Sequence, residues 1–225
     1  MFLGLEPTHN PNRWYLPVSP GVSTRGFFLW GGCGLGAGIE AMERTTGREV
    51  IWATAQYLSY AQTGSIVDID VIVANEGKTV TQARAVAHVG DREILTVNAA
   101  LGHRDTPAAG MWEQMPDVPA PEDCHVRFGV TPDEEGLTDG MMARLDFRLA
   151  NARTFDELEG NPMPDGSCAM WARMPEVLEM SGASLAILGD YVPMGLGQAL
   201  GAHAGGNSLD NTLRVVDLVP TEWVL

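Results

Sequence analysis

Lysine is all but missing from this chain of 225 residues: Lys78 stands alone beside thirteen arginines. Basic residues of both kinds total 14 against 29 Asp and Glu, a formal charge of −15. A surplus of that size repels phosphate backbones and anionic lipid, which argues against nucleic-acid binding and peripheral membrane attachment. A small anionic ligand stays open, because it answers to the local field of a pocket. Cysteine is scarce too. Cys33, Cys124 and Cys168 form no CxxC pair, and an odd count cannot close a disulfide framework within one chain, so a reduced cytoplasm is the expected setting. No apolar run approaches the ~18 residues that span a bilayer, and the opening MFLGLEPTHNPNRW lacks the basic start and apolar stretch of a signal peptide. Neither a G-x-S-x-G elbow nor a Walker A run occurs, which removes the usual serine-hydrolase and nucleoside-triphosphatase readings. His103 with Asp105, and Cys124 with His125, match no closed zinc spacing, so no metal site is expected.

What is present suits a folded core: 45% hydrophobic residues against 19% charged ones, enough for one large domain or two small ones. After an irregular, proline-bearing opening, residues 24–30 read as a short strand. GGCGLGAGIEAMERTTG (31–47) follows, a glycine-rich helix start with a good helical continuation and Gly47 at the stop. Glycines there cost helix stability, a cost tolerated where a helix lies hard against other backbone. Residues 48–61, 65–75, 78–89 and 92–102 then turn to period two, separated by the turn signals Gln62-Thr63-Gly64, Asn75-Glu76-Gly77 and Gly90-Asp91. In the second run Val67, Ile69, Val71 and Val73 share one face and Asp68 and Asp70 the other, as in an antiparallel sheet buried on one side. One helix in the hollow of a curled antiparallel meander is the hotdog arrangement.

Residues 103–140 carry five prolines and surplus acid, and read as a linker. Strand-like runs at 141–150 and 167–174 follow, then a helical stretch to residue 200 that includes Leu178, Leu185 and Leu188 and is interrupted at Gly182, then a strand at 208–219. The expected division is a first hotdog over 1–102, a linker over 103–140 and a second hotdog over 141–225, an α+β double hotdog. After its helix the second copy has barely 20 residues of sheet, so its last strands are expected beyond Leu225, about 50 residues more on the first copy's template. The alternative is completion of the sheet by another chain, and a homo-oligomer is expected.

Gly32-Cys33-Gly34-Leu35-Gly36-Ala37 fits the dinucleotide fingerprint G-x-G-x-x-A, but the next strand ends without the acid that holds the ribose. The better reading takes the amides of Gly31, Gly32 and Cys33 as a helix N-terminus that binds developing negative charge, or simply as tight helix–sheet packing. Cys33 is set aside as a nucleophile, since no partner His is placed beside it. Asp190, in the apolar context SLAILGDYVPMG, must be paired, hydrogen-bonded or open to a cavity, where it could deprotonate a water; otherwise it is an inert turn residue beside Gly189. Ser208 could hold the same water, with Asp210 and Asn211 as competing polar neighbours.

These runs, taken in order, resemble the acyl-CoA thioesterase II family of double-hotdog hydrolases along the whole chain. WGGCGLGAGIEAM resembles its helix start, YLSYAQTGSIVDIDVIVANEGKTVTQARAVAHVGDREILTVNAALG its first meander, and MPDVPAPED its proline-rich linker. MWARMPEVL with LAILGD resembles its tryptophan strand and second helix, ending on the family's catalytic aspartate at Asp190. SLDNTLRVV puts Ser208 where the family has a catalytic threonine, and TEWVL resembles the start of its next strand. The family's third catalytic residue, a glutamine in the last strand, has no counterpart up to Leu225. Gln62-Thr63 replaces the usual Arg-Pro, and Asn211 the usual His. The resemblance implies hydrolysis of an acyl-CoA by a water held on Asp190 and Ser208, with the oxyanion at Gly31–Cys33, no covalent intermediate, and no metal or redox cofactor. CoA phosphates would meet a few clustered arginines. The rival readings are a non-catalytic double hotdog that binds acyl groups or serves in an assembly, and a hotdog hydratase, which needs an Asp/His pair that neither glycine-rich segment supplies.

Overall fold

The computed structural model describes residues 2–25, 27–103, 110–128, 140–176 and 179–225. Helix α1 (Gly31–Thr46) is the axis of the molecule. Leu35, Ile39 and Met42 on it are wholly buried, each contributing about 1.5–3 kcal/mol of transfer free energy. Gly47 ends the helix in the left-handed region at φ 67°, its N–H bonding the Glu43 carbonyl at 2.7 Å. Around α1 runs a seven-stranded antiparallel sheet. Strands β1 (Glu6–Pro7) and β2 (Arg13–Pro17) lie at one edge, followed in space by β4 (Ile66–Glu76), β5 (Val80–Val89), β6 (Arg92–Gly102) and β3 (Val50–Tyr57). The last strand of the chain, β10 (Asp210–Arg214), closes that sheet by pairing with β3, Thr212 opposite Thr54.

A smaller three-stranded sheet joins β7 (His125–Phe128), β8 (Asp146–Asn151) and β9 (Ala169–Arg173). The one-turn helix α2 (Phe155–Leu158) lies between β8 and β9, and α3 (Gly182–Gly189) and α4 (Val192–Leu200) precede β10. Helices α1 and α3 pack with their small faces together: a Cβ on Gly32 would stand 2.6 Å from the Ala186 carbonyl oxygen, and one on Gly36 3.0 Å from that of Ala183. The glycines of α1 are the close approach that their helix cost anticipates. No helix among the described residues is long and apolar enough to cross a membrane.

Several local readings are corrected. Among the described residues of 24–30 no strand forms: Thr24 and Phe28 close a turn with Phe27 at φ 61°, and isolated bridges join Ser23 to Leu29 and Phe28 to Gln62. The opening is not irregular, because Arg13 grips Asp70 through two bonds of 2.6 and 2.7 Å and lays β2 along β4. Val73 is 40% exposed, since a register shift after it takes β4 off the core. The stretch 103–140 contains β7, and residues 141–144 form a 3₁₀ turn before β8 starts. The second helical run is two helices, parted at Asp190 because Pro193 stands in the first turn of α4 and cannot continue the ladder of α3. Residues 104–109 and 129–139 of the expected linker, with Asp105, and Leu178 of the helical run lie outside the described residues.

Candidate functional site

The first turn of α1 has amide groups and no cap of its own, for the side chain of the N-cap residue Trp30 accepts nothing. The partner arrives from the other half. Asp190 sits at the C-cap of α3 with φ −87° and ψ 58°, and its Oδ2 accepts the Gly32 N–H at 2.6 Å. Small residues permit this: on Gly32 a Cβ would stand 2.9 Å from the Asp190 Cβ, so any larger residue would push α3 away together with its carboxylate.

Beside that bond lies a cavity of about 560 Å³. Its walls are largely apolar and aromatic, with Phe28, Trp30, Tyr60, Phe155 and Tyr191 among them, and Gly31, Asp190 and Ser208 line it as well. Asp190 and Ser208 thus share one cavity although 18 positions apart. Of the three residues expected to bind substrate, Gly31 alone is on the wall. The Gly32 amide is engaged by Asp190, and Cys33 is fully buried with its Sγ 3.7 Å from Met141 Sδ. Burial drives the Cys33 thiol far above its usual pKa, so it is no nucleophile.

Burial also pushes the Asp190 carboxyl above the usual carboxylate range, opposed by the Gly32 N–H and the Asn211 side chain, which favour the ion. A carboxylate so held, with a raised pKa, is suited to take a proton from water. Tyr57, at the end of β3, also lines the cavity; its phenol is pushed up by burial and then by the charge of Asp190. Arg25 and Arg127 supply positive charge on the wall, and both act on Tyr191, which burial pushes up and they pull down. Arg127 also stacks its guanidinium 4.0 Å over the Phe155 ring. Among the described residues, no three His, Cys, Asp or Glu side chains gather to hold a metal ion.

Sequence reasoning missed Tyr57, Arg25 and Arg127, and saw Asn211 as a competitor of Ser208 and as the residue standing in for the family's His. The signal for Tyr57 was parity: it shares the strand face of the buried Ala53 and Ala55.

No protein-family model and no curated protein sequence matches the chain. Solved structures do. A "putative thioesterase" from Novosphingobium aromaticivorans superposes with a TM-score of 0.83 at 28% identity, over 99% of this chain and 84% of that one. A protein with hot dog fold from Alicyclobacillus acidocaldarius gives 0.81 at 16% identity, covering 99% and 81%. The acyl-CoA thioesterase II TesB2 of Mycobacterium marinum gives 0.70 at 18% identity, again over 99% and 81%. Over nearly its whole length the chain has the α+β hot dog fold of these structures, and it is similar to one described as a putative thioesterase.

Proposed function

We propose that this protein hydrolyses acyl-CoA thioesters to the free acid and CoA. A water at the cavity wall gives its proton to Asp190 as its oxygen attacks the thioester carbon, and Ser208 orients that water by a hydrogen bond. Collapse of the tetrahedral intermediate expels the CoA thiolate, which takes the proton from Asp190. A thioester is reactive enough for this without a metal, a redox cofactor or a covalent enzyme intermediate. The acyl chain occupies the aromatic cavity, and Arg25 and Arg127 meet CoA phosphate as the acidic chain's local exception. A reduced cytoplasm fits the three free thiols.

The observation that carries the reading is the Asp190–Gly32 bond: a half-buried carboxylate held on the positive end of α1, on the wall of an apolar cavity. The likeness to proteins described as thioesterases supports the reaction class. The test is release of CoA thiol from acyl-CoAs of several chain lengths, before and after Asp190→Asn. Turnover lost in the variant supports Asp190 as the base, and unchanged turnover removes it from the mechanism. Tight binding of acyl-CoA with no turnover by the native protein would instead support an acyl-binding module.

A further inference from the structure

We infer that the Tyr57 hydroxyl is a catalytic group of this site, the donor that meets the thioester carbonyl oxygen as it gains negative charge. The inference rests on the hydrolytic reading above and adds a residue to it. A Cβ on Gly31 would stand 3.3 Å from Tyr57 Oη and 2.8 Å from Asp190 Oδ2. Hydroxyl and carboxylate therefore flank one spot at the start of α1, and that spot is open because residue 31 has no side chain. The Tyr57 oxygen is buried and has no partner at hydrogen-bond geometry among the described residues; the Asn211 side chain lies near enough to draw the phenol's pKa down but does not satisfy it. An O–H buried without a partner weakens a fold, and such groups recur where a ligand completes them. Burial and the Asp190 charge both keep the phenol protonated, so it is a donor at any working pH.

In the reaction, the water O–C bond forms as the water proton passes to Asp190. The carbonyl π pair moves onto oxygen, where the Tyr57 O–H and the positive end of α1 receive it. The pair returns as the C–S bond breaks, and the thiolate leaves with the Asp190 proton. Tyr57 keeps its own proton throughout.

The test is Tyr57→Phe, which removes one oxygen and no carbon. The expected result is a fall in kcat of about 10²–10³-fold. KM, and the affinity for a non-hydrolysable thioether analogue of acyl-CoA, stay within about twofold of the native values. The melting temperature holds or rises, because an unsatisfied buried group is gone. A structural role gives the opposite pair, a lower melting temperature with kcat kept, and that result overturns the inference. Gly31→Ala fills the flanked spot and leaves the hydroxyl in place; it carries the test if the Phe variant does not fold. Its kcat is expected to fall, and a native kcat overturns the geometry. If the native protein cleaves no thioester, the hydrolytic reading fails and Tyr57 with it. If native and Phe forms cleave equally fast, Tyr57 alone is dismissed.

Discussion

The N-termini of α1 and α3 are alike in place and opposite in treatment. Helix α3 seals its own start with a capping box: Ser184 N–H bonds Ser181 Oγ at 3.1 Å, and Ser181 N–H bonds Ser184 Oγ at 2.8 Å. Helix α1 follows the N-cap Trp30 with two glycines, has no acidic residue in its first turn, and takes a side-chain acceptor from the far end of α3. The sealed start follows the local rules for stability, whereas the open one breaks them where a cavity reaches the helix. The two halves have divided the work. One presents bare amides, and the other lends the acid that meets them.

The substitutions that test this contrast run from large effects to small. Asp190→Asn keeps an oxygen to accept the Gly32 N–H and removes the charge. Its kcat should fall about 10²–10⁴-fold, while calorimetry finds a melting temperature equal to or above the native one because a half-buried ion is gone. Gly32→Ala sets a methyl 2.6 Å from the Ala186 carbonyl oxygen and should prise α3 off α1. A loss of about 1–3 kcal/mol in denaturant unfolding is expected, with kcat lowered as Asp190 withdraws.

The pH dependence sharpens the contrast through its sign. Since the folded Asp190 pKa is raised, turnover should decline about tenfold per pH unit below it, and this limb should start above the ordinary carboxylate range. For stability the same shift works the other way. The contribution of Asp190 is fully present below its unfolded pKa and is lost as pH rises through the folded one. Asp70 has the usual sign: the Arg13 hydrogen bond lowers its pKa, so its contribution is present above the unfolded pKa and lost as pH falls through the folded one. Rate and stability profiles of native protein and Asp190→Asn separate the two groups. The smallest effect is Ser181→Ala, which unseals α3. About 1 kcal/mol should go, read as roughly 2–4 °C in melting temperature, with kcat unchanged.

Much of the frame was legible in the residues. Period two marked β3 to β6, and the glycine start with Gly47 marked α1, because both patterns record which face meets the core. The edge strand β1 and its neighbour β2 were hidden by prolines, and β2 depends on the Arg13–Asp70 pair, whose partners lie 57 positions apart. The break at Asp190 was blurred by the apolar run 185–188 just before it, although Pro193 signals it. Resemblance put Asp190 and Ser208 on one water, and their common cavity is a fact of folding that spacing does not encode. Tyr57 reads as an ordinary strand residue, and only register directs its ring to the start of α1.

The pairing of β10 with β3 reaches beyond the catalytic question. Five residues from the end of the chain complete a sheet begun in its first half, tied also by the Thr54 and Thr212 hydroxyls at 2.8 Å. Severing the chain between β6 and β7 would leave one fragment with a bare β3 edge and the other with an orphaned strand, each sticky alone. Such fragments should regain turnover only on mixing, so the protein is a natural template for a split reporter.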